Sequence, residues 1–421
     1  MLIQFTVGNW ASFKSPMTLN LEASSDHAHE EANLIQASDR RLLKSAVIYG
    51  ANASGKSNLL DAMEFLRNFV LSSSRETQIE EEIAVEPFRL SAEYDNKPSH
   101  FEIQFIQQGV SYRYGCELDR KQVHTEWLFA SVSSREAELF TRDQGDIKYN
   151  AERFKEGKGL AEKTRPNALF LSVVAQFNGE ISTEVLKWFR DFRFISATRN
   201  PHLRFTVERL EEQSFASKVL EMTRIADLGI EGLVPKIAHY TEEDLPGMAP
   251  THRKQMVGRV KGVELKTQHK KFGADNSIES LVEFDLEKNE SDGTKKYLSM
   301  TGPLIDALNT SKVLVIDELD ARLHPLLSRA ILLLFNDAKN KSNAQLIFAT
   351  HDTNLLNSKF FRRDQVWFTE KDAVGATSLY SLAEFKIRKE SSFGKDYILG
   401  KFGAVPFIGE MDLCYDSKTV E

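Results

Sequence analysis

Gly50-Ala51-Asn52-Ala53-Ser54-Gly55-Lys56-Ser57 matches G-x-x-x-x-G-K-[ST], and its flanks leave the chain little choice of fold. The apolar run Ala46-Val47-Ile48-Tyr49 enters Gly50 directly, as a strand buried on both faces of a parallel sheet does. Beyond Ser57, the residues Leu59, Met63, Leu66 and Val70 recur at helical spacing, with Ala62 and Phe69 beside them. Strand, glycine turn and helix in this order form an anion cradle. Glycines let successive N–H groups turn inward on phosphate oxygens. The helix N-terminus adds about half a positive charge. Lys56 supplies a full charge near the β- and γ-phosphates, and the Ser57 hydroxyl can ligate Mg²⁺. Gly50, Asn52, Ala53, Ser54, Gly55, Lys56, Ser57 and Asn58 are therefore the expected nucleotide contacts.

A second apolar run, Val313-Leu314-Val315-Ile316, ends in Asp317-Glu318. Such a strand delivers two carboxylates to the carboxyl edge of a sheet, where open α/β sheets bind ligands. Asp317 is expected to hold Mg²⁺, and Glu318 to orient and deprotonate an attacking water. A strand ending in two acids is a weak signal alone; beside a phosphate loop it becomes specific. The next strand, Leu346-Ile347-Phe348-Ala349, runs into Thr350-His351-Asp352. A lone histidine is more often a surface residue. At the same end of an adjacent strand, a neutral imidazole can hydrogen-bond the γ-phosphate or the water, which makes His351 a catalytic candidate with Glu318 and Lys56.

This set resembles the ABC-type ATPase heads, in the branch that holds the chromosome-structural-maintenance and recombination-repair ATPases and the overcoming-lysogenization-defect nucleases. Ser291-Asp292-Gly293-Thr294, opening a helix over 295–308, resembles that family's signature loop. In the family this loop binds the γ-phosphate held by the opposite protomer, so Ser291 and Gly293 are expected to act across a homodimer or a larger assembly built from dimers. Its chemistry suits the role, because a hydroxyl, a glycine N–H and a helix N-terminus make another anion site. Asp320 matches the family's dimer-contact loop. Gln104 and Gln107 are candidates for its glutamine loop.

A narrower resemblance rests on Leu2–Glu22 with Asn9-Trp10-Ala11-Ser12-Phe13-Lys14, on Glu318–Pro325, and on Tyr397 with Gly400–Pro406. These stretches are similar to the small single-chain AAA/ABC-type ATPases of prokaryotic abortive-infection and phage-defence operons. Relatives often carry Arg where this chain has Ala11. The resemblance implies ATP and Mg²⁺ as ligands. It also implies a sensing or regulatory ATPase that works with a separately encoded effector, a nuclease or toxin.

At roughly 150 residues per domain, 421 residues suffice for two to three domains. The expected architecture is an α/β P-loop ABC-type ATPase head with an antiparallel β-lobe and a mostly helical insertion. Residues 1–145 carry the phosphate loop and lobe, 146–270 the insertion, and 271–421 the rest of the head. Leu2–Val7 and Thr18–Glu22 read as strands and residues 23–42 as a loop. Phe101–Tyr114 reads as a hairpin, Val207–Asp227 as the longest helix, and Phe192–Ser196 as an intervening strand. No heptad persists, so long coiled-coil arms are not expected.

The formal charge of −7 excludes a global polycation, so any nucleic-acid contact must be local. One candidate is Arg253–Lys271, with seven basic residues and a single acid, Glu264. No aromatic side chains interleave there for base stacking, and a solvated lobe edge is the plainer reading. Cys116 and Cys414 cannot build a disulfide framework, and no Cys/His cluster has zinc spacing. The 70 residues after His351 look short for an appended metal-dependent nuclease, and Glu370, Asp372, Glu410 and Asp412 read as scattered surface acids. With no secretory leader or membrane-length apolar run, a cytoplasmic protein is the default. Two rival readings stay open. One is a scaffold that binds ATP with little turnover; the other is a DNA-associated repair clamp.

Overall fold

The computed structural model describes residues 1–37, 39–75, 78, 80–131, 135–195, 202–248, 250–387 and 392–406. Cys414, Glu410, Asp412 and Ser196 lie outside the described residues.

The apolar runs pair as their composition dictates. Ser45–Gly50, Val313–Ile316 and Gln345–Ala349 are buried along their whole length, which only a sheet covered on both faces allows. They form a six-stranded sheet in the order Arg193–Ile195, Val313–Ile316, Gln345–Ala349, Ser45–Gly50, Val366–Lys371, Thr377–Ser381. The first five strands are parallel, and the last returns antiparallel. Asp317, Thr350 and the phosphate loop therefore emerge at one edge. Arg193–Ile195 belongs to this sheet although it lies within the expected insertion.

The antiparallel lobe is a seven-stranded sheet running from Asp146–Tyr149 through Ala137–Asp143, Val123–Ser131, Val110–Leu118, Ser99–Gln107 and Leu2–Gly8 to Met17–Asn20. The helix Lys56–Ser72 fills the space between the two sheets, burying Leu59, Met63, Leu66 and Val70. Aromatic rings seal that core: Trp10 meets Phe65 at 4.9 Å and Phe101 at 5.5 Å, and Phe105 stacks on Trp188 at 4.1 Å. Buried Glu126 ties the lobe to the helix Phe170–Gln176, accepting hydrogen bonds from the backbone N–H groups of Phe170 (2.7 Å) and Leu171 (3.1 Å).

Three expectations need correction. Residues 23–42 are not a plain loop: Glu30–Asn33 is a helical turn, and Leu34–Ala37 pairs with Arg40–Leu43. Ile35 and Leu42 bury against Ile3 and Ile106, a burial masked in the sequence by the charged residues around them. Val207–Asp227 is two helices, His202–Arg209 and Gln213–Ile225, with the break at Leu210–Glu212. The reversal lets Val207, Phe215 and Val219 all pack against Leu298 and Ile305 of one helix. That helix, Asp292–Thr310, is the longest, with 19 residues. Helical structure also stops short of residue 270. Gly232–His239, Val260–Phe272 and Ile278–Asp285 form a three-stranded antiparallel sheet, joined to the helices through Leu265.

The basic segment lies on this small sheet and the helix before it. Lys261 pairs with Asp244, Lys266 with Glu283 at 2.9 Å, and Lys270 with Glu231 at 2.5 Å. Acids from neighbouring segments thus offset much of the local charge, as on a solvated edge. Among the described residues, no helix is long and apolar enough to cross a membrane.

Candidate functional site

The phosphate loop is shaped by close approach. A Cβ at Gly50 would lie 2.4 Å from Ser54 Oγ and 2.5 Å from Thr369 O. Gly55, at φ 110°, faces Thr377, whose Oγ1 would stand 2.4 Å from an added Cβ. Only glycine fits either position. Ala53 takes φ 60° without that excuse, a strained residue inside the loop. Lys56 is buried, and its Nζ donates to the carbonyls of Gly50 and Ala51, both at 2.9 Å. Ser57 stands exposed at the start of the helix.

Side chains from outside the motif hold this loop, and the sequence pattern did not point to most of them. Ser54 Oγ and Thr369 Oγ1 share a hydrogen bond of 2.6 Å. Thr377 Oγ1 donates to Ser54 O at 2.9 Å and shares a hydrogen bond with Ser12 Oγ at 2.7 Å. Asn58 Nδ2 donates to the same Ser12 Oγ at 2.7 Å, and Trp10 Nε1 donates to Asn58 O at 2.9 Å. The tight turn around Ala11 meets the strand Thr377–Ser381 through Ser12, and with Val366–Lys371 these segments brace the loop. A threonine in a strand is too common for its spacing to announce this.

The carboxylates converge on the other side. Burial lowers the Lys56 pKa, and Asp317, Glu318 and Asp320 oppose that shift through their charges. Asp317 carries a buried Oδ1 with no hydrogen-bond partner. An acceptor that is buried and unpaired costs free energy unless something binds it. Together with the exposed Ser57 hydroxyl, it fits a hard, oxygen-seeking cation that takes its other ligands from phosphates and water. Glu318 sits at φ 49°, a further strained non-glycine residue in the site. Partial burial, then the Lys56 charge, lowers the His351 pKa, so the ring is neutral near pH 7.

Asp320 has partners within its own chain. Its Oδ1 accepts from Thr350 Oγ1 at 2.6 Å, and both oxygens lie 3.3 Å from His351 N. The carboxylate thereby fixes the histidine loop to the acidic strand end. Ser291 caps its own helix, accepting from Thr294 N at 3.1 Å. A Cβ on Gly293 would lie 2.6 Å from Arg322 O, and Asp292 pairs with Arg322 at 3.3 Å. The signature-like turn therefore packs on the acidic loop of the same chain. Gln107 is not in the site. It lines a small cavity with Lys312 and Val313, at the opposite end of the strand that delivers Asp317. Gln104 lies within the antiparallel sheet, between Gln4 and Arg113. Glu370 accepts from Tyr380 Oη at 3.0 Å, and Asp372 caps a turn through Val374 N and Ala376 N.

Lys296 is the residue that sequence reading passed over. It lies one turn into the helix Asp292–Thr310, is buried, and donates to Glu318 O at 2.8 Å. Burial lowers its pKa to about 8, against the upward pull of Asp320, Glu318 and Asp317, with Arg322 adding to the lowering. Its ammonium is thus lost near pH 8 in the folded chain but near 10.4 in the unfolded one. Between those values the unfolded chain binds more protons, so this group adds stability as pH rises. The charge beside Glu318 fades over the same interval. For a nucleotide-hydrolysing site, turnover is expected to fall above pH about 8, and Lys296→Arg to move that alkaline limb upward by more than a pH unit. A pH–rate profile with an unmoved limb in the Arg variant would dismiss this role.

A family model described as "AAA domain, putative AbiEii toxin, Type IV TA system" matches residues 45–357. The SMC head domain from Thermotoga maritima superposes with a TM-score of 0.41 at 13% identity, covering 92% of this chain and 99% of that one. An SmcHead bound to the C-winged helix domain of ScpA gives 0.43 at 12% identity, covering 90% and 97%. A Pyrococcus furiosus Smc head with an extended coiled coil, bound to the C-terminal domain of ScpA, gives 0.38 at 11%, covering 95% and 98%. The comparison with curated proteins found no match.

Proposed function

The chain belongs to the AAA-domain family of the AbiEii-toxin type, and from that premise we propose that it hydrolyses ATP as a sensor or regulator in antiphage defence. The observation that carries the hydrolysis is the convergence at one sheet edge of buried Lys56, unpaired Asp317, strained Glu318 and neutral His351, and the family match supports the defence role.

ATP lies with its β- and γ-phosphates on the Gly50–Ser57 backbone and on Lys56. Ser57 and Asp317 would hold Mg²⁺, which would offset phosphate charge when bound. Glu318 takes a proton from the attacking water, whose oxygen bonds to the γ-phosphorus as the bond to the ADP oxygen breaks. His351 donates a hydrogen bond to the γ-phosphate. Positioning and charge neutralisation do most of this work. Ser291 and Gly293 complete the site of a second copy, so hydrolysis requires a dimer or an assembly of dimers. The change of assembly holds or releases a separately encoded effector in the cytoplasm. Lys296 and the Asp292–Arg322 pair join each copy's signature turn to its own acidic loop, which supports coupling between the two sites.

Light scattering of the Glu318→Gln protein with and without MgATP tests the assembly step. The mass is expected to rise from 47.8 kDa toward twice that on adding ATP. A mass indifferent to ATP would overturn it. The family description names a toxin and so favours a second reading, in which the chain itself is the toxic component. Growth arrest on expressing the chain alone would support that reading.

A further inference from the structure

A cavity of about 330 Å³ opens beside the phosphate loop, between Ala51–Ser54, the strand end Thr369–Lys371, and Ala404–Pro406. It lies on the side of the loop away from the carboxylates. Asp317 and His351 follow the strands on one side of Ser45–Gly50, whereas Val366–Lys371 is its neighbour on the other. A triphosphate whose γ end meets Asp317 must leave the cradle toward Val366–Lys371.

The segment that closes this cavity is built rather than draped. Phe402 is buried among Phe368 and Phe385, at 5.8 Å and 5.3 Å. Tyr380 Oη shares its one proton between Glu370 Oε2 and Phe402 O, the latter at 2.9 Å, and Tyr397 Oη donates to Ala404 O at 3.0 Å. Gly403 has φ 68°, and a Cβ there would lie 2.7 Å from Tyr380 Oη and 2.8 Å from Glu370 Oε2. Ala404 follows at φ 57°, a left-handed conformation that strains an alanine. Strain held by two tyrosine hydroxyls leaves Val405 half-buried and Pro406 exposed beside the loop.

We infer that Ala404–Pro406 forms the apolar wall of the nucleoside subsite, receiving the base and ribose of the bound nucleoside triphosphate, with Lys371 at its polar rim. This deepens the ATPase reading and rests on it. Ala11, in the turn that meets Thr377 through Ser12, offers no side chain long enough to replace such a wall.

The test compares ATP with inorganic tripolyphosphate, each with Mg²⁺, by titration calorimetry on the full chain. The variant is Val405→Ser with Pro406→Ser, one position at the core's edge and one exposed, with Lys371→Ala as a second, independent variant. The serine pair is expected to weaken ATP about tenfold, through lost apolar contact, and to leave tripolyphosphate within twofold. Lys371→Ala is expected to weaken ATP alone by a few-fold. Unchanged ATP affinity in both variants, or equal loss of both ligands, would overturn the subsite and leave the ATPase reading standing. A parent chain that binds neither ligand would overturn the ATPase reading itself.

Discussion

Glu318→Gln is expected to slow MgATP turnover by about 10²- to 10⁴-fold, the range set by losing a general base. Nucleotide affinity should change by no more than a few-fold. The amide keeps the shape of the side chain and leaves the backbone carbonyl that Lys296 holds at 2.8 Å. It cannot accept the proton of the attacking water. The left-handed backbone at φ 49° burdens glutamine as it does glutamate, so the variant should fold as the parent does. ATP should then accumulate in an assembly that the parent forms only transiently. Phosphate release and mass by light scattering read both effects. Turnover equal to the parent's would place the base elsewhere. Equal rates near zero in both proteins would favour the scaffold that binds ATP without using it.

Lys56→Met should weaken ATP about 100-fold and abolish turnover. A hydrogen bond to a charged group contributes about 1.5–3 kcal/mol, and Lys56 is the cation aimed into the loop. Methionine fills much the same space in a buried position, so the Ser54–Thr369 and Thr377–Ser54 bonds that shape the loop should survive. Thermal melting should therefore move little while calorimetry shows the binding loss. Undiminished ATP affinity would mean that the phosphates lie elsewhere, and the nucleoside subsite would fall with them.

The expectation of a DNA clamp is weakened by the small antiparallel sheet. The lysines that looked unopposed along the chain meet Asp244, Glu283 and Glu231 from other segments. Their charge is visible in sequence, but their neutralisation depends on which strands lie side by side.

The same division runs through the whole molecule. The amino-acid order alone determined the phosphate loop, the Asp317–Glu318 strand end and the His351 turn, since each is set by residues within a few positions of one another. A buried strand, a glycine turn and a helical stripe follow from local periodicity and backbone sterics. Only the tertiary structure decided that Thr369, Thr377 and Ser12 brace the loop, that Asp320 clamps the histidine turn, and that Lys296 reaches Glu318. It also decided that Ile35 and Leu42 bury in a hairpin, and that Val207 and Phe215 lie on separate helices. Hydrogen bonds between residues tens to hundreds of positions apart carry no period along the chain. They exist because a parallel sheet sets distant strands about 4.8 Å from each other, and that neighbourhood is a property of the folded sheet.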